Sequence, residues 1–222
     1  SAIRSWAPDH IDRDHEPLLD EIHQRLLPSR GIWARREEIL VTAGAQQATF
    51  LLAQLLVGPR TVVCVEDPGY PDARNNFLLR SATVLPLPVD AEGLVVGPQL
   101  ARCRYVYVTP SHQCPTTVTM PASRREKLLA HCDAHDIVVI EDDHESELNF
   151  NNQPTAALKS LDANGRVEGT IECETAEVRG RFEGEIRATQ RLIVHETGQI
   201  EGEIRYGRLE VADGGRLTGR IE

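Results

Sequence analysis

The sequence predicts two units of unlike architecture: an α/β unit with a mainly parallel sheet, followed by an all-β unit wound as a parallel solenoid. Three observations predict it. Up to about residue 141, short apolar strands alternate with helical runs, the pattern of a sheet whose strands are joined through helices. From Val167 onward, apolar or small residues alternate with charged ones at a period of two, which is strand periodicity. Between them lies a seam over 161–168: all thirteen prolines precede it, and ten of the sixteen glycines lie from Gly165 onward. Two compositions imply two packing rules, so the units are expected at 1–164 and 165–222.

In the first unit, Leu18, Leu19, Ile22, Leu26 and Leu27 fit one face of a helix that Pro28 ends. A strand is expected over 39–42. Ala43-Gly-Ala-Gln-Gln-Ala48 then opens a helix with Leu51, Leu52, Leu55 and Leu56 expected on its buried side. The strand over 61–65 runs into Glu66-Asp-Pro-Gly-Tyr-Pro71 and another helix. Further strands are expected over 84–87, 104–109 and 137–141, with a helix over 123–135 before the last.

Sheets of this kind bind ligands at the carboxyl ends of their strands. There, Gly44, Ala45 and Gln46 offer backbone N–H groups at a helix N-terminus, a setting that suits a phosphate. Tyr70 offers an aromatic face, and Asp142, Asp143 and His144 follow an apolar strand, bringing a carboxylate to the crevice. Each also has a plainer account: Gly44 as a tight turn, Tyr70 as surface packing, the acids as a helix cap.

In the second unit the phrase apolar-x-Gly-x-Ile recurs, with its glycines at 169, 184, 202 and 219. That spacing is too long for a hairpin ladder and too short for strand-helix-strand units, but it suits one coil of a parallel solenoid. The expected core is Val167, Ile171, Val178, Phe182, Ile186, Leu192, Val194, Ile200, Ile204, Leu209, Val211, Leu217 and Ile221. The chain stops directly after a repeat phrase, which predicts an uncapped end with strand edges and apolar side chains exposed.

A net charge of −10 argues against a nucleic-acid partner, and no run is apolar enough to span a membrane. Five scattered cysteines without a C-x-x-C pair, and no visible signal peptide, point to a cytoplasmic protein with reduced thiols. His131 and His135 share a helical face beside Cys132, with His144 nearby, but no second paired motif completes a metal site, so none is expected.

Four stretches in order, 42–48, 66–71, Thr109-Pro-Ser-His-Gln-Cys-Pro-Thr116 and Ile140-Glu-Asp-Asp-His-Glu-Ser-Glu147, resemble consecutive motifs of fold-type I pyridoxal-phosphate aminotransferases. The match is most specific to the aminotransferase-like domain of MocR-type, GntR-family regulators, over about residues 10–166. The resemblance implies that Gly44, Ala45 and Gln46 hold the cofactor phosphate, that Tyr70 stacks on the pyridine ring, and that Asp142 pairs with the ring nitrogen. It places Cys114, with Gln113 and Pro115, near the ring hydroxyl. His144 stands where the family usually has Tyr, and Thr117 where it usually has Gly. The family's Schiff-base lysine follows the phrase over 157–167, where the solenoid pattern begins instead. The two lysines, Lys127 and Lys159, match neither that motif nor its position. Pyridoxal phosphate is therefore expected to bind non-covalently at best, without catalysis.

The second unit resembles the bactofilins, polymer-forming bacterial cytoskeletal proteins built as a β-helix. This rests on the four Gly-x-Ile phrases and on the intervening pairs Leu192-Ile-Val194 and Leu209-Glu-Val211. It implies homo-oligomers or filaments joined through the β-helix ends. The function expected is a self-assembly module fused to a catalytically incomplete aminotransferase-like fragment. The alternatives are a pyridoxal-phosphate-binding remnant of a MocR-type regulator or aminotransferase, or a fusion artefact or engineered chimera with no unified function.

Overall fold

The computed structural model describes residues 14–32, 34–143, 157–161, 166–178, 180–196 and 198–222; in the strand beginning at Arg166, side chains are described from Glu172 onward. The first helix, α1 (Glu16–Glu21), has Pro17 in its first turn, where a missing N–H is harmless. Pro28 does not end the helical run as expected. The backbone widens into a π-turn over Ile22–Leu26, and one further turn, α2 (Leu27–Ser29), carries the proline before Gly31 reverses the chain at φ +68°.

The α/β sheet has five strands: β1 (Val62–Asp67), β2 (Thr83–Asp90), β3 (Gly93–Leu94), β4 (Tyr105–Val108) and β5 (Val138–Glu141). Their order is β3-β2-β1-β4-β5, parallel throughout except for the short β2–β3 pair. The helices are α3 (Ala45–Leu56), α4 (Pro71–Leu79), α5 (Ala122–Ala134) and α6 (Leu158–Leu161). Alternation along the strands gives the sheet two apolar faces. Val63, Val65, Tyr107 and Ile140 pack under Ala53 of α3 with Ala73 and Phe77 of α4. Cys64, Val106 and Val108 pack with Leu128 and Cys132 of α5 and Leu158 of α6.

Two expectations fail here. Residues 39–42 form no strand; the segment is extended, with the Val41 N–H donating to Asp14 Oδ2 at 3.1 Å, and it pairs with no other strand among the described residues. On α3, Leu52, Leu55 and Leu56 are exposed and Leu51 is half-buried. Thr49 and Ala53, one turn apart, are the buried positions, while Leu55 is 79% exposed. Ala53 packs in the core with Val63 and Val65 of β1.

The second sheet contains β6 (Arg166–Val178), β7 (Arg181–Val194), β8 (Gln199–Val211) and β9 (Arg216–Ile221), all parallel and in that order. Its register sets like over like: Gly169, Gly184, Gly202 and Gly219 form one column, and Ile171, Ile186, Ile204 and Ile221 another. The register shifts between Cys173 and Thr175 and between Ala188 and Arg191, where β7 carries one residue more than either neighbour. Gly202 and Gly219 have φ of 140° and 124°, and a Cβ on Gly219 would lie 2.0 Å from the Gly202 carbonyl oxygen. Neighbouring backbone therefore occupies the space a side chain would need.

Phe182, Ile186, Leu192, Val194, Ile200 and Ile204 are buried together with Ala176 and Ala188; Val178, Leu209 and Leu217 are partly covered. Val211 and Ile221, expected inside, are 44% and 46% exposed. Both lie at the last strands of the stack, where no further layer among the described residues covers them. Val167 and Ile171 were also expected in this core; their side chains lie outside the described residues.

Candidate functional site

From β1 the chain moves outward to β2, then returns to β4 on the other side of β1. The loops after β1 and β4 therefore diverge, and open sheets form their ligand crevice at such a switch point. Glu66 at the end of β1 spans it. Its Oε2 accepts from the Thr109 hydroxyl at 2.6 Å, the Thr109 N–H at 3.3 Å and Gln113 Nε2 at 3.2 Å. Glu66 is only 4% exposed, and its Oε1 has no partner in the structure. Burial pushes this carboxyl above its ordinary range, against the pull of the Thr109 and Gln113 donors.

The same polar web sets the loop after β4. Gln113 Nε2 also donates to the carbonyls of Pro68 at 2.8 Å and Cys114 at 2.7 Å, and the Cys114 N–H donates to the Thr109 hydroxyl at 3.3 Å. Gln113 Oε1 in turn accepts from the Thr116 hydroxyl and N–H. Cys114 is thus held at the switch point. Thr117, where the resemblance expects glycine, adopts φ +63° and donates its N–H to the Gln113 carbonyl at 2.7 Å.

Gly44 caps α3 at φ +95°, and nothing lies within 4 Å of where its Cβ would be. The first N–H groups of a helix have no intrahelical partner, so Ala45 and Gln46 present donors to that open space. Gln46 Nε2 donates to the Tyr70 hydroxyl at 2.8 Å and to Asp72, which ties the helix start to the turn after β1. At the exit of β5, the Asp142 N–H donates to the Val108 carbonyl at 2.9 Å, and Asp142 Oδ2 accepts from the Tyr107 hydroxyl. The structure therefore brings Gly44, Ala45, Gln46, Tyr70, Cys114 and Asp142 to the carboxyl edge of one sheet. His144 lies outside the described residues. An open helix start, an aromatic side chain and a carboxylate on one edge fit a phosphorylated heteroaromatic ring.

Asp143 turns away from Asp142 to pair with Arg30, which is 7% exposed. Burial raises the Asp143 carboxyl; the positive charges of Arg30 and Arg125 oppose that rise. Neither lysine rides on an element of the Tyr107 face. Lys127 is exposed on α5, and Lys159 lines a cleft of about 380 Å³ with Leu129, Cys132, Val138 and Glu141 on the α5 side of the sheet.

Sequence reasoning missed Glu66, Tyr107 and Arg30. Tyr107 reads as one more core position in an apolar strand. The signal was its hydroxyl, because a buried phenol requires a partner. His131 and His135 stack at 4.3 Å, and among the described residues no three His, Cys, Asp or Glu side chains are placed to hold a metal ion. No helix among the described residues is long and apolar enough to cross a membrane.

Residues 11–172 match the family described as aminotransferase class I and II, and residues 154–222 match bactofilin, described as polymer-forming cytoskeletal. The chain is 44% identical over 159 residues to the HTH-type transcriptional regulator TauR of Rhodobacter capsulatus, covering 72% of this chain and 33% of TauR. It is 36% identical to the probable rhizopine catabolism regulatory protein MocR of Rhizobium meliloti, covering 71% and 32%. It thus spans about a third of the length of these relatives. Among solved structures, kynurenine aminotransferase from Pyrococcus horikoshii, in complex with PMP, superposes at a TM-score of 0.59 with 31% identity over 68% of this chain and 38% of that one. The α-aminoadipate aminotransferase LysN from Thermus thermophilus, complexed with N-(5'-phosphopyridoxyl)-L-leucine, superposes at 0.60 with 31% identity, covering 66% and 38%.

Proposed function

Because this chain belongs to the aminotransferase class I and II family, matched over residues 11–172, we propose that residues 1–164 are an incomplete aminotransferase unit joined to a self-assembling β-solenoid over 165–222. The register of the second sheet carries the solenoid reading. Parallel neighbours ordinarily need a crossover of a dozen or more residues, yet only 195–198 separate β7 from β8. Laid straight, the 14 residues of β7 would extend roughly 46 Å. The connection spans at most about 18 Å. Each strand must therefore bend back toward its start, and the register shifts at 174, 189–190 and 207 supply the corners. Connecting segments continue the stack: Gln199 N–H donates to the Gly180 carbonyl and Arg216 N–H to the Gly198 carbonyl, both at 2.9 Å.

Self-association follows from the last coil. β9 is paired on one edge only among the described residues; Ile221 on it is 46% exposed, and Val211, at the far end of β8, is 44% exposed. An open strand edge with exposed apolar side chains is a template for another chain. We expect filaments or large oligomers of the intact chain by electron microscopy and light scattering, and their loss in Ile221→Lys. A strictly monomeric chain defeats the assembly reading.

A second reading concerns the first unit and rests on the convergence of Gly44–Gln46, Tyr70, Cys114 and Asp142 at the switch point. The helix start would hold the phosphate of pyridoxal phosphate, Tyr70 would cover the ring, and Asp142 would face the ring nitrogen. Bound there, the cofactor supplies an electron sink. With both lysines on elements of the opposite face, binding without turnover is expected. A change in pyridoxal-phosphate fluorescence on adding the chain, lost in Asp142→Ala, tests this; no change with the wild-type chain defeats it.

A further inference from the structure

Tyr107 is 2% exposed, and its ring meets Phe77 edge-on at 6.1 Å with an interplanar angle of 65°. Phe77, on α4, is itself fully buried, so the phenol ring packs against a neighbour within the core. In the sheet register Tyr107 lies beside Ile140, and Asp142, two residues further along, emerges on the same face. The carboxylate is therefore restrained twice: through its own N–H to the Val108 carbonyl, and through Oδ2, which accepts from the Tyr107 hydroxyl.

The titratable groups facing the phenol are Asp142 at the exit of β5, Glu66 at the end of β1 and Tyr70 on the turn after it. Of these, Glu66 is engaged with Thr109 and Gln113. Burial first, and the Asp142 hydrogen bond second, hold the phenol well above its ordinary range, so it stays a donor across the accessible pH range.

We infer that Tyr107 is a positioning residue that locks the Asp142 carboxylate for pairing with a protonated heteroaromatic nitrogen. This rests on the cofactor reading above. A carboxylate fixed in direction keeps its full effect on a ring nitrogen, whereas one free to rotate shares it with solvent. The hydroxyl serves the ring only through Asp142.

The probe is pyridoxamine 5′-phosphate, which needs no lysine and whose ring nitrogen can be titrated by absorbance and fluorescence on the intact chain. In Tyr107→Phe, which keeps the ring against Phe77, the bound ring nitrogen should lose its proton about one pH unit earlier. Affinity should fall about tenfold, the scale of a hydrogen bond to a charged group. Phe77→Leu, which leaves the hydroxyl but frees the ring, should move the midpoint the same way by less. A purely structural Tyr107 would change the melting temperature and leave the ring titration where it was. If the wild-type chain binds and neither variant moves the midpoint, this inference fails alone. If the wild-type chain does not bind, it fails together with the cofactor reading.

Discussion

Gly202 rides over Gly184 so closely that a Cβ on Gly202 would fall 1.9 Å from the Gly184 carbonyl oxygen. With φ at 140°, its backbone is also one that L side chains rarely adopt. Gly202→Ala should therefore destabilise the second sheet by about 3 kcal/mol, combining overpacking with backbone strain. Ala188→Gly, where the side chain is buried in the same core, should cost about 1 kcal/mol. Chemical denaturation of the two variants under identical conditions checks the ranking.

Thr117 is the reverse case. A β-branched residue at φ +63° is an outlier. Thr117→Gly should stabilise the first unit by about 1 kcal/mol, since left-handed backbone costs a non-glycine residue about 1–2 kcal/mol. A rise in melting temperature is expected, and a fall would show that the exposed threonine side chain makes a contact of greater worth.

Glu66 gives a pH dependence with a definite sign. Its folded-state pKa is raised from an ordinary 4.5, so the folded chain holds this proton more tightly than the unfolded chain does. The stabilisation is fully present below 4.5 and is lost as pH rises through the folded value. Glu66→Gln, neutral throughout, should be more stable than wild type at neutral pH, and the difference should close on acidification. Thermal melts over that range measure it.

The Arg30–Asp143 pair, with its guanidinium buried and its carboxylate 21% exposed, should behave as a unit. Asp143→Ala strands the guanidinium and should cost about 3–5 kcal/mol, while the double variant Arg30→Met, Asp143→Leu should recover most of the loss. A double-mutant cycle by denaturant unfolding gives the coupling.

How much of this was legible in the sequence differs between the two units for a physical reason. Along β6–β9 the paired residues lie over their counterparts one strand away, so the spacing of Gly169, Gly184, Gly202 and Gly219 is itself the register. The exposed ends were less visible, because Val211 and Ile221 differ from their buried counterparts only in having nothing above them. In the first unit, the quoted motifs contain Gly44, Tyr70, Cys114 and Asp142, which lie at a helix start and in segments that follow β1, β4 and β5. The face of α3 differs from the expectation because apolarity alone favours Leu55, whereas the buried positions are held by the smaller Thr49 and Ala53. Tyr107 and Arg30 were hidden for another reason: their partners, Asp142 and Asp143, lie 35 and 113 positions away.

The single extra residue of β7, accommodated between Ala188 and Arg191, leaves the columns on both sides aligned. Length variation in one strand is thus absorbed locally and does not propagate. Gain or loss of a whole phrase would change the stack only in steps of about 4.8 Å. The extent of the stack is thereby quantised, set by how many times one short phrase is copied.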